Sequence, residues 1–144
     1  MNLTLSETVI GTYKQLIPAV LGYLEKGRTH YVAAGLDIND AVGVSLIEDM
    51  QPLHFQMVSV VHHSQNAINS AMSGDAGIPD FSLAFDYQGL VEHVEGALAA
   101  VESADLAALD ARAQAPVTFR LRDREMPFTV SNYLLSFSLP NFYF

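Results

Sequence analysis

The sequence predicts an all-α domain, a four-helix bundle with a small β-hairpin just ahead of its last helix. Three observations lead there. Apolar residues recur every three or four positions along three long stretches. After Pro116 that period drops to two. Half of the 144 residues are hydrophobic and only 16% are charged, a balance that suits one packed core. Residues 1–144 therefore read as a single domain.

The first helix opens near Ser6, a residue able to accept from the free amides of a first turn. Val9, Tyr13, Leu16, Val20 and Leu24 form its apolar stripe, which Ile10, Ile17 and Leu21 widen, while Glu7, Lys14, Gln15, Glu25 and Lys26 fall outside. Pro18 removes one backbone donor and is expected to kink it, and Gly27 marks an end or a bend. Residues 35–49 read as a connector. Asp49, three residues ahead of Pro52, opens a second helix whose core positions are Leu53, Met57, Val60, Val61, Ser64, Ile68 and Met72. Ser73-Gly74-Asp75 ends it, and Gly77-Ile78-Pro79-Asp80 is a loop.

Asp86 caps a third helix with Leu90, Val91, Val94, Leu98 and Val101 inward and Glu92, His93, Glu95 and Glu102 towards water. Asp105 to Arg112 forms one or two helical turns. Val117, Phe119 and Leu121 then alternate with polar residues, as do Met126, Phe128 and Val130. Arg122-Asp123-Arg124-Glu125 joins the two strands of a hairpin without an Asn-Gly turn. Ser131 caps the last helix, which runs through Tyr133, Leu134 and Phe137 into Leu139-Pro140-Asn141-Phe142-Tyr143-Phe144. Phe142 and Phe144, two apart, point to different sides of it.

Composition excludes several functions. A formal net charge of −9 with seven Lys and Arg repels phosphate backbones, which argues against nucleic acid; Arg120, Arg122 and Arg124 make only a small patch. Without cysteine there is no disulfide, thiolate metal site or cysteine nucleophile. The first apolar stretch is broken by Lys14-Gln15 and Pro18, so neither a secretory signal nor a membrane span is expected, and the cytoplasm is the default location. No glycine-rich phosphate loop occurs, and Ser6, Ser59 and Ser64 belong to no recognisable triad.

Histidines are the remaining candidates for chemistry. With Met57 at the centre of the helix 2 stripe and about 100° per residue, His54 falls about 60° off, His63 about 120° off and His62 about 140° off. His54 is thus at the edge, His62 faces solvent, and His63 shares a flank with Gln56. None of the three is spaced by three or four, as a helical pair of metal ligands requires. Glu92 and Glu95 have that spacing but lie on a polar face.

Two stretches, Asp49-Met50-Gln51-Pro52-Leu53-His54-Phe55-Gln56 and the closing Leu139-Pro140-Asn141-Phe142-Tyr143-Phe144, resemble a family known only as a domain of unknown function within the DinB/YfiT-like metalloenzyme superfamily. The likeness extends along nearly the whole chain. It implies an up-down-down-up bundle, frequently a homodimer. Metal-binding relatives take one histidine from helix 2 and a His-x-x-x-His pair from helix 4. Carried over, His63 matches the first ligand, Asn141 stands at the second, and the third would follow Phe144, with the last helix continuing past it. One ligand of three does not hold Zn or Ni, so the resemblance implies a metal-free bundle with Gln56, His63, Asn141 and Tyr143 as a candidate pocket. Such a bundle would bind a small molecule or a protein partner. The alternative is a metal-dependent transferase or hydrolase using His63. In the plainest reading Gln56, His63 and Asn141 merely satisfy one another's hydrogen bonds.

Overall fold

A computed structural model describes residues 3–144. Helix α1 spans Leu5–Ala33. Its cap is Thr4: the Thr4 hydroxyl accepts from the Glu7 amide at 3.1 Å, and the Glu7 carboxylate accepts from the Thr4 amide at 3.0 Å. Ser6, expected to be the cap, lies inside the first turn. Its amide and hydroxyl donate to Asp110 at 2.8 and 2.7 Å. The helix runs on through Pro18, and it also passes Gly27, which is not its end. What Gly27 provides is room: a Cβ there would sit 3.2 Å from the Tyr87 hydroxyl, which donates to the Leu24 carbonyl.

The connector contains a 3-10 turn, Ile38–Gly43. Helix α2 covers 53–73 in three continuous parts: an α segment Leu53–Val61, a π turn His62–Asn66 and an α segment Ala67–Ser73. Asp49 does not open it. Pro52 stands at the cap without a side-chain bond, and the Leu53 amide donates instead to the connector's Val44 carbonyl at 2.9 Å. Gly74, in the left-handed region at φ 87°, closes α2 and leads into strand β1, Asp75–Ala76.

The segment after β1 runs back along α2. The His62 Nε2 donates to the Gly77 carbonyl at 2.9 Å and the His54 Nε2 to the Leu83 carbonyl at 2.7 Å, while Phe55 stacks on Phe81 at 4.1 Å. This return is why His62, expected in solvent, is only 8% exposed. A helical projection locates the core stripe but not a loop that folds over the opposite flank.

Helix α3, Tyr87–Glu102, carries the expected Asp86 cap, which accepts from the Gly89 amide at 2.7 Å. Leu90, Val94, Ala97 and Val101 are buried, and Glu92 and Glu95 are exposed. His93 does not face water fully: it is half-buried and stacks on Phe85 at 4.7 Å. A short helix α4, Leu106–Ala111, follows with Asp105 as cap.

The predicted hairpin is part of a three-stranded sheet. Strands β2, Pro116–Leu121, and β3, Arg124–Thr129, pair antiparallel from Pro116 opposite Thr129 to Leu121 opposite Arg124. On the other edge β1 lies parallel to β2, with Asp75 opposite Thr118. A two-residue strand has no periodicity to read, which is why the sequence showed only a hairpin. Arg122 holds the turn at φ 57°. Arg120 pairs with Asp75 and Glu125 across the sheet.

Helix α5 covers 130–143: Val130–Asn132, a π turn Tyr133–Ser138 and Leu139–Tyr143. Thr129, not Ser131, is its cap, accepting from the Asn132 amide at 3.2 Å. The Ser131 hydroxyl donates to the Ala113 carbonyl at 2.8 Å. Pro140 falls in the first turn of the closing α segment, where a missing amide is tolerated. Phe142 is buried, edge-on to Tyr13 of α1 at 5.0 Å, whereas Phe144 is 96% exposed. The core is shared by α1, α2, α3 and α5, and Val117 and Phe119 of β2 belong to it.

Candidate functional site

The two π turns meet. A π turn adds one residue to a helical turn and releases carbonyls from the regular ladder, and such turns concentrate at functional sites. Here the Ser138 hydroxyl of the second turn donates to the His63 carbonyl of the first at 3.1 Å.

Two cavities open beside this junction. The first, about 750 Å³, lies between α1, the connector, α2 and the end of α5. Leu16, Val20, Leu24, Val60, Met57 and Phe142 give it a mostly apolar wall, joined by the Tyr23, Tyr31 and Tyr87 rings. Leu16, Val20, Leu53 and Val60, read from the sequence as core, are half-buried because they face this space. The second cavity, about 630 Å³, lies between α2, the return segment and α5, with Phe55, Phe81, Phe119 and Phe137 in its wall.

The four candidate residues divide between the two spaces. Gln56 and Asn141 line both, His63 lines the second, and Tyr143 lines the first. They do not satisfy one another. The Gln56 amide nitrogen donates to the Gln51 carbonyl at 3.2 Å, and that of Asn141 to the Phe137 carbonyl at 2.7 Å. His63 is 8% exposed, and its Nδ1 is buried without a partner among the described residues. Burial, helped by the His62 ring 4.9 Å away, pushes His63 down to about 4, so the ring is neutral near pH 7. A neutral imidazole offers one donor and one acceptor. Burial pushes Tyr13 up as well, and its hydroxyl is likewise without a partner.

The donor set does not suit a metal ion. Among the described residues no three His, Cys, Asp or Glu group together. In the wall of the second cavity His63 and Asp49 are the two residues of the usual metal-ligating types, short of the three protein ligands that a catalytic zinc takes. Nor is any helix among the described residues long and apolar enough to cross a membrane.

The described residues form a mostly helical fold with a small three-stranded sheet. The crystal structure of a DinB family member from Shewanella denitrificans matches with a TM-score of 0.72, covering 96% of this chain and 78% of that one. Identity is 14%, so the likeness is one of fold. The chain belongs to the DUF1993 family, described as a domain of unknown function, whose model matches residues 5–144. No curated protein matches it.

Proposed function

We propose that this bundle binds a small, predominantly apolar ligand and does so without a metal. The observation that carries the reading is the roughly 750 Å³ cavity with its apolar wall, a size and lining suited to a small organic molecule. Gln56, Asn141 and Tyr143 supply polar contacts within that wall, and His63 supplies one in the neighbouring space. The test uses N-phenyl-1-naphthylamine, whose fluorescence rises in apolar surroundings. Saturable binding is expected, and Ala19→Trp, an exposed position on the cavity wall, should weaken it severalfold. No saturable binding, with no small molecule extracted from freshly purified protein, would overturn the reading.

A metal-dependent transferase or hydrolase is the second reading, favoured by the buried neutral His63 ring in a cavity wall. Elemental analysis of untagged protein after adding Zn²⁺ or Ni²⁺ decides between the two: stoichiometric metal supports the second and none eliminates it. The proposal also takes the protein as a homodimer with its long helices in up-down-down-up order. Light scattering giving a monomer mass would refute the dimer.

A further inference from the structure

We infer that the ligand is an uncharged, elongated molecule with a hydrogen-bond donor near its middle, such as a secondary amide or arylamine N–H flanked by two apolar arms. This rests on the ligand-binding reading above and gives it a chemical class.

The two cavities adjoin. Met50, Gln51, Gln56, Ser59, Asn141 and Phe144 line both; taken as one bipartite space, the two have these residues as a common waist. Apolar walls lie to either side: aliphatic and tyrosine side chains towards α1, phenylalanines towards β2 and the return segment. The side-chain amides Gln51, Gln56 and Asn141 and the Ser59 hydroxyl are gathered at the waist, while the tyrosine hydroxyls lie along the first arm and Asp49 and His63 along the second. A molecule filling both arms therefore presents its middle to those groups.

The waist favours donors. The amide nitrogens of Gln56 and Asn141 are occupied by backbone carbonyls. Among the described residues Gln56 Oε1 and Asn141 Oδ1 accept nothing, and Ser59 Oγ is free to donate or accept. The unpartnered His63 Nδ1 lies in the adjacent wall. A ligand N–H meets these oxygens, and the Ser59 hydroxyl can meet a ligand carbonyl.

Charge narrows the class. Neither cavity wall includes a Lys or Arg; Asp49 is the one carboxylate in them. The whole chain carries a formal net charge of −9. An anionic headgroup would be desolvated here without a counter-charge, which is costly.

Displacement of N-phenyl-1-naphthylamine by three ten-carbon compounds tests this: N-pentylpentanamide, its isomer decanamide, and decanoate. The two amides are isomers: the first carries one N–H at its middle and the second carries two at its end, so an advantage of the first cannot come from its number of donors. N-pentylpentanamide should displace the probe at concentrations about three- to tenfold lower than decanamide, the worth of one hydrogen bond. Decanoate should be weaker than either. On Gln56→Leu the advantage of the central amide should shrink while probe binding persists. Decanamide matching its isomer, or decanoate surpassing both, overturns the inference and leaves the ligand-binding reading standing. Failure of the probe itself to bind, with no small molecule extracted from freshly purified protein, removes both.

Discussion

Asp110 caps α1 from another helix, and its removal has a predictable cost. The carboxylate accepts from the Ser6 amide at 2.8 Å and the Ser6 hydroxyl at 2.7 Å, so Asp110→Ala strips the α1 N-terminus of one satisfied amide and one negative charge. Losing a cap costs about 1 kcal/mol, and hydrogen bonds to a charged group contribute about 1.5–3 kcal/mol each. Solvent at this half-buried position keeps the total near the low end, about 1.5 kcal/mol. At roughly 2–4 °C per kcal/mol for a chain of this size, the melting temperature should fall by about 3–6 °C. The pH dependence supplies an independent check. The Ser6 amide, foremost, holds the Asp110 carboxyl below its ordinary 3.8. The folded state thus binds that proton less readily than the unfolded chain. The stabilisation is complete above the ordinary value and is lost as pH falls through the depressed one. Urea unfolding should show the gap between parent and Asp110→Ala widest near neutrality and narrowing in acid. A neutral-pH gap under about 0.5 kcal/mol, within the scatter of ordinary surface changes, refutes the reasoning, as does a gap that stays constant.

Other perturbations follow from the same geometry. His63→Leu removes a buried nitrogen that has no partner, so urea unfolding near pH 7 should show stability unchanged or raised by about 1 kcal/mol; a loss larger than that would mean the ring makes a bond that matters. Gly27→Ala should gain most of the usual helix benefit, about 1 kcal/mol, only when Tyr87→Phe has removed the hydroxyl 3.2 Å from the new Cβ. Equal effects in both backgrounds of that cycle would show that Gly27 and Tyr87 do not couple. Burial, with the His54 ring nearby, lowers His93 below its ordinary 6.5, so protonation favours the unfolded chain and stability declines as pH drops below that value. His93→Phe should flatten the decline in thermal melts across that range, and an unchanged slope would exclude His93 as a contributor.

Helix positions were legible because burial imposes a 3.6-residue period, and Asp86 was legible as a cap because it stands shortly ahead of an apolar stripe of that period. Ser6 and Ser131 misled for the opposite reason. Each lies two residues inside a helix whose true cap is a threonine, and the longer-range bonds to Asp110 and Ala113 that occupy them leave no local pattern. Strand β1 and the return segment over His62 are tertiary events, set by pairing with residues some forty positions away in one case and by two histidine–carbonyl bonds in the other. The cavity walls posed a different difficulty. Leu16 and Val20 have the spacing of core residues whether they meet another side chain or a cavity. Of the candidate pocket, Gln56 and His63, expected on one flank of α2, both line the second cavity, but the first cavity, the larger of the two, had no signature beyond a widened apolar stripe on α1.

The π turns at His62–Asn66 and Tyr133–Ser138 also govern how this chain is compared with others. Each is, in effect, one extra residue threaded into a helix without lengthening any loop. Matched against an unbroken helix, positions beyond the bulge slip by one in register and rotate by roughly 100°. Equivalences between this chain and straight-helixed relatives therefore have to be drawn in space, residue by residue on either side of each bulge. A gap placed in the nearest loop would put the wrong side chains against the cavities.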